Sequence, residues 1–324
     1  MVCCLKMRLK REVKFMNERF SDFLKLSNQV KKAIQDNLPI VALESTVISH
    51  GLPYPDNLEV TKKMMSAITE TGAVPAVIGL MDGLIHVGLN EDELELFATR
   101  KDILKISRSD IAYCLSEKRL GATTVSATML CASYAGIRIF STGGLGGVHR
   151  GAEETFDISA DLTELSKTPV LVVCSGAKSI LDVSKTLEYL ETQGVPIIGY
   201  QTNCFPLFFT KESDYRLTQC LRGPEEIASV ADINWKLGLT GMVVANPVPE
   251  ADSLDSNIVE KWIKTAISDG QKQGIKGKAV TPFVLSRVAE LSSGKTMQAN
   301  KSLLVNNAAL AARIAVSLNT LTGG

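Results

Sequence analysis

Short apolar runs alternate with amphipathic segments along most of this chain. The run 39–43 (PIVAL) and the run 170–174 (VLVVC) contain β-branched residues and no charge, a pattern that predicts strands buried on both faces. Further strands are predicted at residues 76–80, 85–87, 138–141, 195–200 and 241–245. The intervening segments have apolar residues at helical spacing.

Helices are predicted over 57–72, 123–134, 178–193 and 258–268, with two more after Pro282 and Asn300. Asn57 is the expected cap of the first of these helices, and Gly136 is expected to end the second. Uncharged strands that alternate with helices imply an α/β fold. We therefore expect a layered α/β/α structure with a mostly parallel central sheet, in a single large domain spanning residues 37–324.

The chain of 324 residues has 35 basic and 35 acidic side chains, so nothing favours binding to nucleic acid. No apolar stretch reaches the length of a membrane span, and no membrane partner is expected. The seven cysteines form no C-x-x-C pair, which favours a reducing compartment. Cys131 and Cys174 lie in apolar runs and are expected to be buried as small hydrophobic residues.

Residues 1–36 form a basic N-terminal extension with Lys6, Arg8, Lys10, Arg11 and Lys14, and we expect poor order there. The extension also contains acidic residues and lacks the apolar core of a secretory signal. A solvated helical segment in a cytoplasmic protein is expected. The alternative is a presequence for an organelle, the peroxisome or the mitochondrion.

Polar or glycine-rich segments follow four of the predicted strands: Glu44-Ser45-Thr46, the segment 141–144, the segment 175–178 and Ala245-Asn246. Binding sites in parallel α/β sheets collect at the carboxyl ends of the strands. The four segments are therefore expected to converge on one site.

Lys178 is predicted to lie at the start of a helix, whose partial positive charge favours a neutral amine that can attack a carbonyl carbon. A solvated lysine in a first helical turn is the alternative. Glu44, at the end of a buried strand, is a candidate general acid or simply an exposed strand end. His50 and His86 are isolated, and neither is assigned a metal-binding role.

The segment 143–151 is rich in glycine, and its backbone N–H groups could hold an anion, or it could be a flexible loop. It lacks the third glycine of a dinucleotide fingerprint, and Ala177-Lys178-Ser179 lacks the glycine of a Walker loop. Asp157 and Asp161 offer carboxylates to a divalent cation; helix capping by Asp157 or Ser159 is the alternative.

Several long segments, among them VALESTVISHGLPYPDN, STGGLGGVHRGAEETFDISADL, CSGAKSILD and VVANPVPE, resemble the pseudouridine 5′-phosphate glycosidases, also called indigoidine-synthase-A-like proteins. The resemblance runs in order from about residue 39 to residue 318. It implies reversible cleavage of the carbon–carbon glycosidic bond of pseudouridine 5′-phosphate to uracil and ribose 5-phosphate, one Mn²⁺ or similar cation per subunit, and a homotrimer.

The resemblance also implies residue roles. Lys178 matches the imine-forming lysine, Glu44 the proton donor and Asp157 the metal-bound aspartate of the family. The implied substrate contacts are Lys105, Val125, Thr142, His149, Ser159, Ala160, Asp161 and Asn300. Glu154 departs from the family, which often has histidine there, and this puts the surroundings of the metal in doubt.

The usual two-carboxylate route of glycosidases does not suit this bond, because carbon is a poor leaving atom. An imine at Lys178 would instead act as an electron sink while Glu44 transfers protons. Two other functions remain open. An aldolase-like lyase acting on a sugar phosphate would also need the lysine imine, but it would not join uracil to ribose 5-phosphate. A non-catalytic phosphate-binding protein would not need Lys178 and Glu44 together.

Overall fold

A mixed sheet of eleven strands forms the centre of the molecule. The computed structural model describes residues 20, 22–275 and 280–323. Within them the strands are β1 Leu24–Leu26, β2 Ile40–Glu44, β3 Val74–Met81, β4 Leu84–Val87, β5 Leu104–Ile106, β6 Gly121–Thr123, β7 Ile139–Ser141, β8 Val148–His149, β9 Leu171–Cys174, β10 Leu181–Asp182, β11 Ile197–Tyr200, β12 Cys220–Leu221 and β13 Met242–Ala245. β8 and β10 pair with each other in a separate two-stranded ribbon.

The helices surround this sheet. They are α1 Asn28–Gln35, α2 Asp56–Glu70, α3 Glu91–Thr99, α4 Ile111–Ser116, α5 Val125–Tyr134, α6 Ala152–Thr155, α7 Ala160–Lys167, α8 Val183–Thr192, α9 Pro224–Lys236, α10 Ser256–Lys272, α11 Val280–Leu291 and α12 Lys295–Thr322. A π-helical turn, Val47–Gly51, follows β2. Among the helices of the described ranges, none has both the length and the apolar character needed to cross a bilayer.

The main path of the sheet runs β1-β4-β3-β2-β7-β9-β13-β11-β12, and β6 joins β3 to β5. The strands β2, β7, β9 and β13 are consecutive and parallel. β3 is antiparallel to β4 and to β6. A mostly parallel central sheet was predicted, and the structure confirms it.

Alternate residues of the central strands enter two separate hydrophobic cores. Val41 and Leu43 of β2 belong to the core that includes α2, α9 and α12, whereas Ala42 belongs to the core that includes α5 and α7. Leu171 and Val172 of β9 divide in the same way. Because burying one aliphatic side chain contributes about 1.5–3 kcal/mol, both faces of the sheet must be covered. The layered α/β/α arrangement is therefore confirmed.

The fold begins earlier than the predicted boundary at residue 37. β1 pairs in parallel with β4, and α1 is capped by Ser27, whose hydroxyl accepts a hydrogen bond from the Val30 amide at 3.2 Å. The Val30 side chain is fully buried against the sheet. Residues 24–35 are thus part of the folded domain, and within the predicted extension only residues 1–19 and 21, including the basic cluster, lie outside the described residues.

Three helix starts differ from prediction. Asn57 lies inside α2, where its side-chain amide donates to the carbonyls of Ile48 and Ala98, at 2.7 and 3.0 Å. The last helix starts at Lys295 and not after Asn300. The helix after β9 starts at Val183 and not at Lys178, because residues 181 and 182 first pair with β8. The last of these differences leaves Lys178 in a loop.

Candidate functional site

The four polar segments that were expected to converge do so. β2, β7, β9 and β13 are neighbours in the sheet, and their carboxyl ends lie at one edge. Asn307 of α12 joins three of these ends. Its side-chain amide donates to the Thr142 carbonyl at 2.8 Å, and its oxygen accepts from the amide of Asn246 at 2.9 Å. The hydroxyl of Ser175 lies 3.1 Å from its amide nitrogen.

Asn307 is completely buried, and no pattern in the sequence predicts its role. A buried amide is stabilised only when its donors and acceptor are paired. Each of its contacts ends on a different strand-end segment, so this side chain fixes the spacing of the segments that carry the candidate site.

Glu44 is buried at the end of β2, with only 6% of its surface exposed. Both carboxylate oxygens are held: Oε1 accepts a hydrogen bond from the hydroxyl of Thr142, and Oε2 accepts one from the hydroxyl of Thr46. The carboxyl group is thus fixed in orientation. The alternative of an exposed strand-end glutamate is wrong.

A cleft with two lobes opens above these strand ends. The inner lobe is lined by Glu44, Thr46, Val47, His50, Gly51, Leu52, Lys105, Thr142, Gly143, Gly144, Lys178, Phe208, Pro282, Leu285, Asn300 and Leu304. The outer lobe, of about 290 Å³, is lined by Lys105, Ser107, Thr124, Gly146, His149, Asp157, Ser159, Ala160, Asp161, Lys178 and Leu181. Lys105 and Lys178 line both lobes, so they stand where the lobes meet.

Lys178 is partly buried and lies in a loop between β9 and β10. The predicted contribution of a helix N-terminus is therefore wrong, since α8 begins at Val183 with Asp182 as its cap. The Lys178 backbone is held instead by its N–H, which donates to the Leu145 carbonyl at 3.0 Å. Within the described part of the chain, its Nζ atom has no hydrogen-bond or ion-pair partner. An unpaired amine facing a cleft can reach a bound electrophile.

Asp157 and His149 face each other in the outer lobe, with 3.9 Å between Oδ2 and Nδ1. Burial lowers the pKa of the His149 imidazole, Asp157 opposes this effect, and the nearby side chains of Lys178 and Lys105 lower the pKa further. The carboxylate of Asp157 is half exposed. Across the residues that the structure describes, no group of three acidic, histidine or cysteine side chains could hold a metal.

Asp157 and His149 together fit a cation that takes one protein carboxylate, a neighbouring imidazole and several waters. Glu154, at the departure noted in the sequence, is exposed.

Asp161 serves the structure of the site. Its Oδ1 accepts from the Ser126 amide at 2.9 Å and its Oδ2 from the Gly146 amide at 2.8 Å. These two bonds tie the glycine-rich loop to the start of α5. Ser159 caps α7, accepting from the Asp161 amide at 3.2 Å, so capping, one of the two interpretations of this segment, does occur.

Ser159, Ala160 and Asp161 all line the outer lobe, as the implied substrate contacts require. Val125 differs. Its side chain is completely buried, and it lines neither lobe; the preceding residue, Thr124, lines the outer lobe instead. The contact between Val125 and the substrate that the resemblance implies therefore stays a prediction.

The glycines of the loop 143–147 are required for close packing. A Cβ atom on Gly144 would lie 2.6 Å from the Phe208 ring, and one on Gly146 would lie 2.2 Å from the Ser159 hydroxyl. The N–H groups of Leu145 and Gly146 already donate to Gly176 and Asp161. The expected anion cradle thus has at least two of its donors engaged within the protein.

His50 is the main cleft residue that sequence reasoning missed. It follows the β2 strand end by six positions, in the π-helical turn, and lines the inner lobe with Glu44 and Lys178. Single-turn π-helical geometry is frequent at functional sites, but nothing in the sequence predicts it. Thr46 was noted only as part of a strand end, and the structure gives it a direct bond to Glu44.

Comparison with known proteins agrees with this architecture. The family model described as indigoidine synthase A like protein matches residues 29–317. A pseudouridine-5′-phosphate glycosidase of Caldanaerobacter subterraneus subsp. tengcongensis is 52% identical over 300 residues, which cover 92% of this chain and 98% of the relative. The enzyme of the same name from Staphylococcus aureus strain MW2 has the same identity and the same coverage.

Two solved structures share the fold. A prealnumycin C-glycosynthase in complex with ribulose 5-phosphate has a TM-score of 0.86 at 38% identity and covers 93% of this chain, with 98% of its own chain matched. An indigoidine synthase A like protein from Thermotoga maritima has a TM-score of 0.83 at 36% identity, with 92% and 97% covered.

Proposed function

The chain belongs to the indigoidine synthase A like family, and on that basis we propose that it is a pseudouridine-5′-phosphate glycosidase. It breaks, and in reverse forms, the carbon–carbon bond between uracil and ribose 5-phosphate. The relatives that are 52% identical over nearly their whole length carry that name. The observation in this chain that supports the proposal best is the position of the unpaired Lys178 between two lobes, with the buried Glu44 on the inner side.

The proposed reaction uses Lys178 as the nucleophile. In the direction of synthesis, its amine adds to the aldehyde carbon of opened ribose 5-phosphate, and water leaves as the C=N bond of the imine forms. The C5 atom of uracil then donates its electron pair to the imine carbon. Glu44 accepts the proton that C5 loses. Ring closure then forms the bond between the sugar hydroxyl oxygen and C1 and breaks the bond between C1 and the lysine nitrogen, and the hydroxyl proton passes to the departing amine.

The reverse steps give cleavage. Glu44 in its protonated form delivers the proton to C5 as the carbon–carbon bond breaks, and water releases ribose 5-phosphate from the imine. The hydroxyls of Thr46 and Thr142 hold the Glu44 carboxyl group in one orientation. This fixed orientation suits proton transfer to and from the same carbon atom in both directions of the reaction.

Asp157 with His149 would hold the divalent cation, expected to be Mn²⁺, and a cation bound there would offset the negative charge of the phosphate. Lys105, at the junction of the lobes, adds positive charge on the same side. Both features support a phosphorylated sugar in the outer lobe. Assembly as a homotrimer and a cytoplasmic location remain predictions from the resemblance and the sequence.

One assay tests the proposal. The protein is incubated with ribose 5-phosphate, uracil and Mn²⁺, and the products are separated and analysed by mass spectrometry. We expect a nucleotide whose base is not released by acid, as a carbon-linked nucleoside requires. An aldolase-like lyase would form an imine between Lys178 and the sugar but would give no carbon-linked nucleotide. A non-catalytic protein would form neither the imine nor the nucleotide.

A further inference from the structure

The inner and outer lobes differ in chemistry, and this difference indicates which part of the substrate each lobe receives. Six residues give the inner lobe apolar walls: Val47, Leu52, Phe208, Pro282, Leu285 and Leu304. The outer lobe has only Ala160 and Leu181 as apolar residues beside its hydroxyls, carboxylates and amines. The faces of a nucleobase are apolar, whereas a phosphate dianion is strongly hydrated. The base therefore belongs in the inner lobe.

Glu44 lies in the same lobe, where it would meet a carbon atom of the base. Lys178, at the junction, would meet the carbon that joins base and sugar. Both placements agree with the proposed function, on which this inference rests.

One polar nitrogen of the inner lobe lacks a partner. The Nε2 atom of His50 is buried and, in the described residues, forms no hydrogen bond. Leaving such a group unpaired destabilises the protein, and a buried nitrogen without a partner in a binding cleft is a candidate for a contact that the ligand completes.

The surroundings of the His50 imidazole determine its protonation state. Burial lowers its pKa below the ordinary value, nearby Lys105 lowers the pKa further, and a hydrogen bond with the Ile103 backbone acts in the opposite direction. The ring is therefore neutral near pH 7. Because Nε2 has no partner, the nitrogen that donates to Ile103 is Nδ1. In a neutral ring with its proton on Nδ1, Nε2 is an acceptor.

We propose that His50 recognises the base: its Nε2 accepts a hydrogen bond from a ring N–H group of uracil bound in the inner lobe. A cyclic amide with a free N–H is the chemical class that this atom selects. The inner lobe is small, about 60 Å³, and Pro282 and Leu285 of α11 form part of its wall.

Two variants test the roles of the two imidazole nitrogens separately. In His50→Asn the amide nitrogen can replace Nδ1, but nothing replaces Nε2. In His50→Gln the longer side chain brings an oxygen acceptor to the position of Nε2. We expect His50→Asn to raise the KM for uracil about 10-fold, the ratio that corresponds to one lost hydrogen bond, while His50→Gln recovers most of this loss. The KM for ribose 5-phosphate and its borohydride trapping on Lys178 should stay within about 2-fold in both variants.

A second measurement compares ligands on the wild-type protein, so it gives a result even if the variants fail to fold. Calorimetric titration of the wild-type protein compares uracil with 1-methyluracil and 3-methyluracil, each of which lacks one N–H. One analogue should bind about 10-fold more weakly than the other, and His50→Asn should reduce that difference. Equal binding of uracil and both analogues would overturn the proposal. So would an unchanged KM for uracil in His50→Asn, or an equal rise in the KM of both substrates.

The outcome also separates this inference from the function on which it rests. A wild-type protein that binds uracil with the expected preference but forms no nucleotide would contradict the proposed function and leave the base contact intact. If the His50→Asn variant forms the nucleotide as efficiently as the wild-type protein, the proposed function stands and the base contact is contradicted.

Discussion

The hydroxyl of Thr142, at the end of β7, donates a hydrogen bond to Oε1 of Glu44, at the end of the neighbouring strand β2. The two residues are 98 positions apart in sequence, and the parallel register of the two strands brings them together. The contact fixes the proposed proton-transfer group on a rigid sheet edge. It also connects Glu44 to Asn307, which holds the Thr142 carbonyl at 2.8 Å.

Thr142→Val removes this hydroxyl while keeping a side chain of similar shape. A hydrogen bond to a charged group contributes about 1.5–3 kcal/mol. If the bond serves mainly to orient Glu44 in the transition state, kcat should fall roughly 10- to 100-fold. Steady-state kinetics measures this, and Thr142→Ser, which keeps the hydroxyl, is the matched control. A valine variant as active as the serine variant would show that the bond does not serve catalysis.

Asn307→Ala should destabilise the whole sheet edge. It leaves the buried Thr142 carbonyl and the Asn246 amide without a partner, and we expect the free energy of unfolding to fall by about 2–4 kcal/mol. Urea denaturation measures the loss. The neighbouring Asn306, partly buried with a bond of 3.2 Å to the Pro247 carbonyl, provides the control Asn306→Ala. Equal losses in the two variants would contradict the role of Asn307.

Asp157→Asn tests the proposed metal residue. The amide keeps the shape of the side chain but loses the charge that a hard cation needs, so activity should be very low and no longer respond to added Mn²⁺. The measurement is a titration of activity with Mn²⁺ after treatment with a chelator. Glu154→Gln, at an exposed acid three residues away, should keep the wild-type response. A normal Mn²⁺ response in Asp157→Asn would exclude this carboxylate as a ligand.

The cysteines should differ in reactivity. Burial raises the pKa of both Cys131 and Cys174 to about 12, and neither is exposed, whereas Cys220 lies on the surface. Only the thiolate reacts, so at pH 8 iodoacetamide should label Cys220 in the native protein and reach Cys131 and Cys174 only after unfolding. Peptide mass spectrometry gives the answer. Rapid labelling of Cys174 in the native state would contradict its burial beside the site.

Much of the fold was predictable because a strand buried on both faces leaves an uninterrupted apolar run. The runs around Leu43 and Val172 gave strands within one or two residues of those observed. The convergence of Glu44, Thr142 and Lys178 was predictable for the same reason, since the carboxyl ends of parallel strands meet at one edge.

Other features depend on contacts that no local pattern reveals. β1 is short, and its place in the sheet comes from pairing with β4, so the sequence around Leu24 was interpreted as part of a poorly ordered, solvated helical extension. Pairing of Leu181 with His149 delays the start of α8 and leaves Lys178 in a loop. Asn307 and His50 became informative only when the structure showed what surrounds them.

The most direct test of the account is the imine itself. The active protein is mixed with ribose 5-phosphate, reduced with borohydride and digested, and the peptide containing Lys178 is analysed by mass spectrometry beside a folded Lys178→Ala variant. We predict a reduced pentose phosphate adduct on Lys178, and in the variant neither adduct nor turnover. Active wild-type protein whose Lys178 peptide carries no sugar, or an adduct found on Lys105 in its place, would contradict the account.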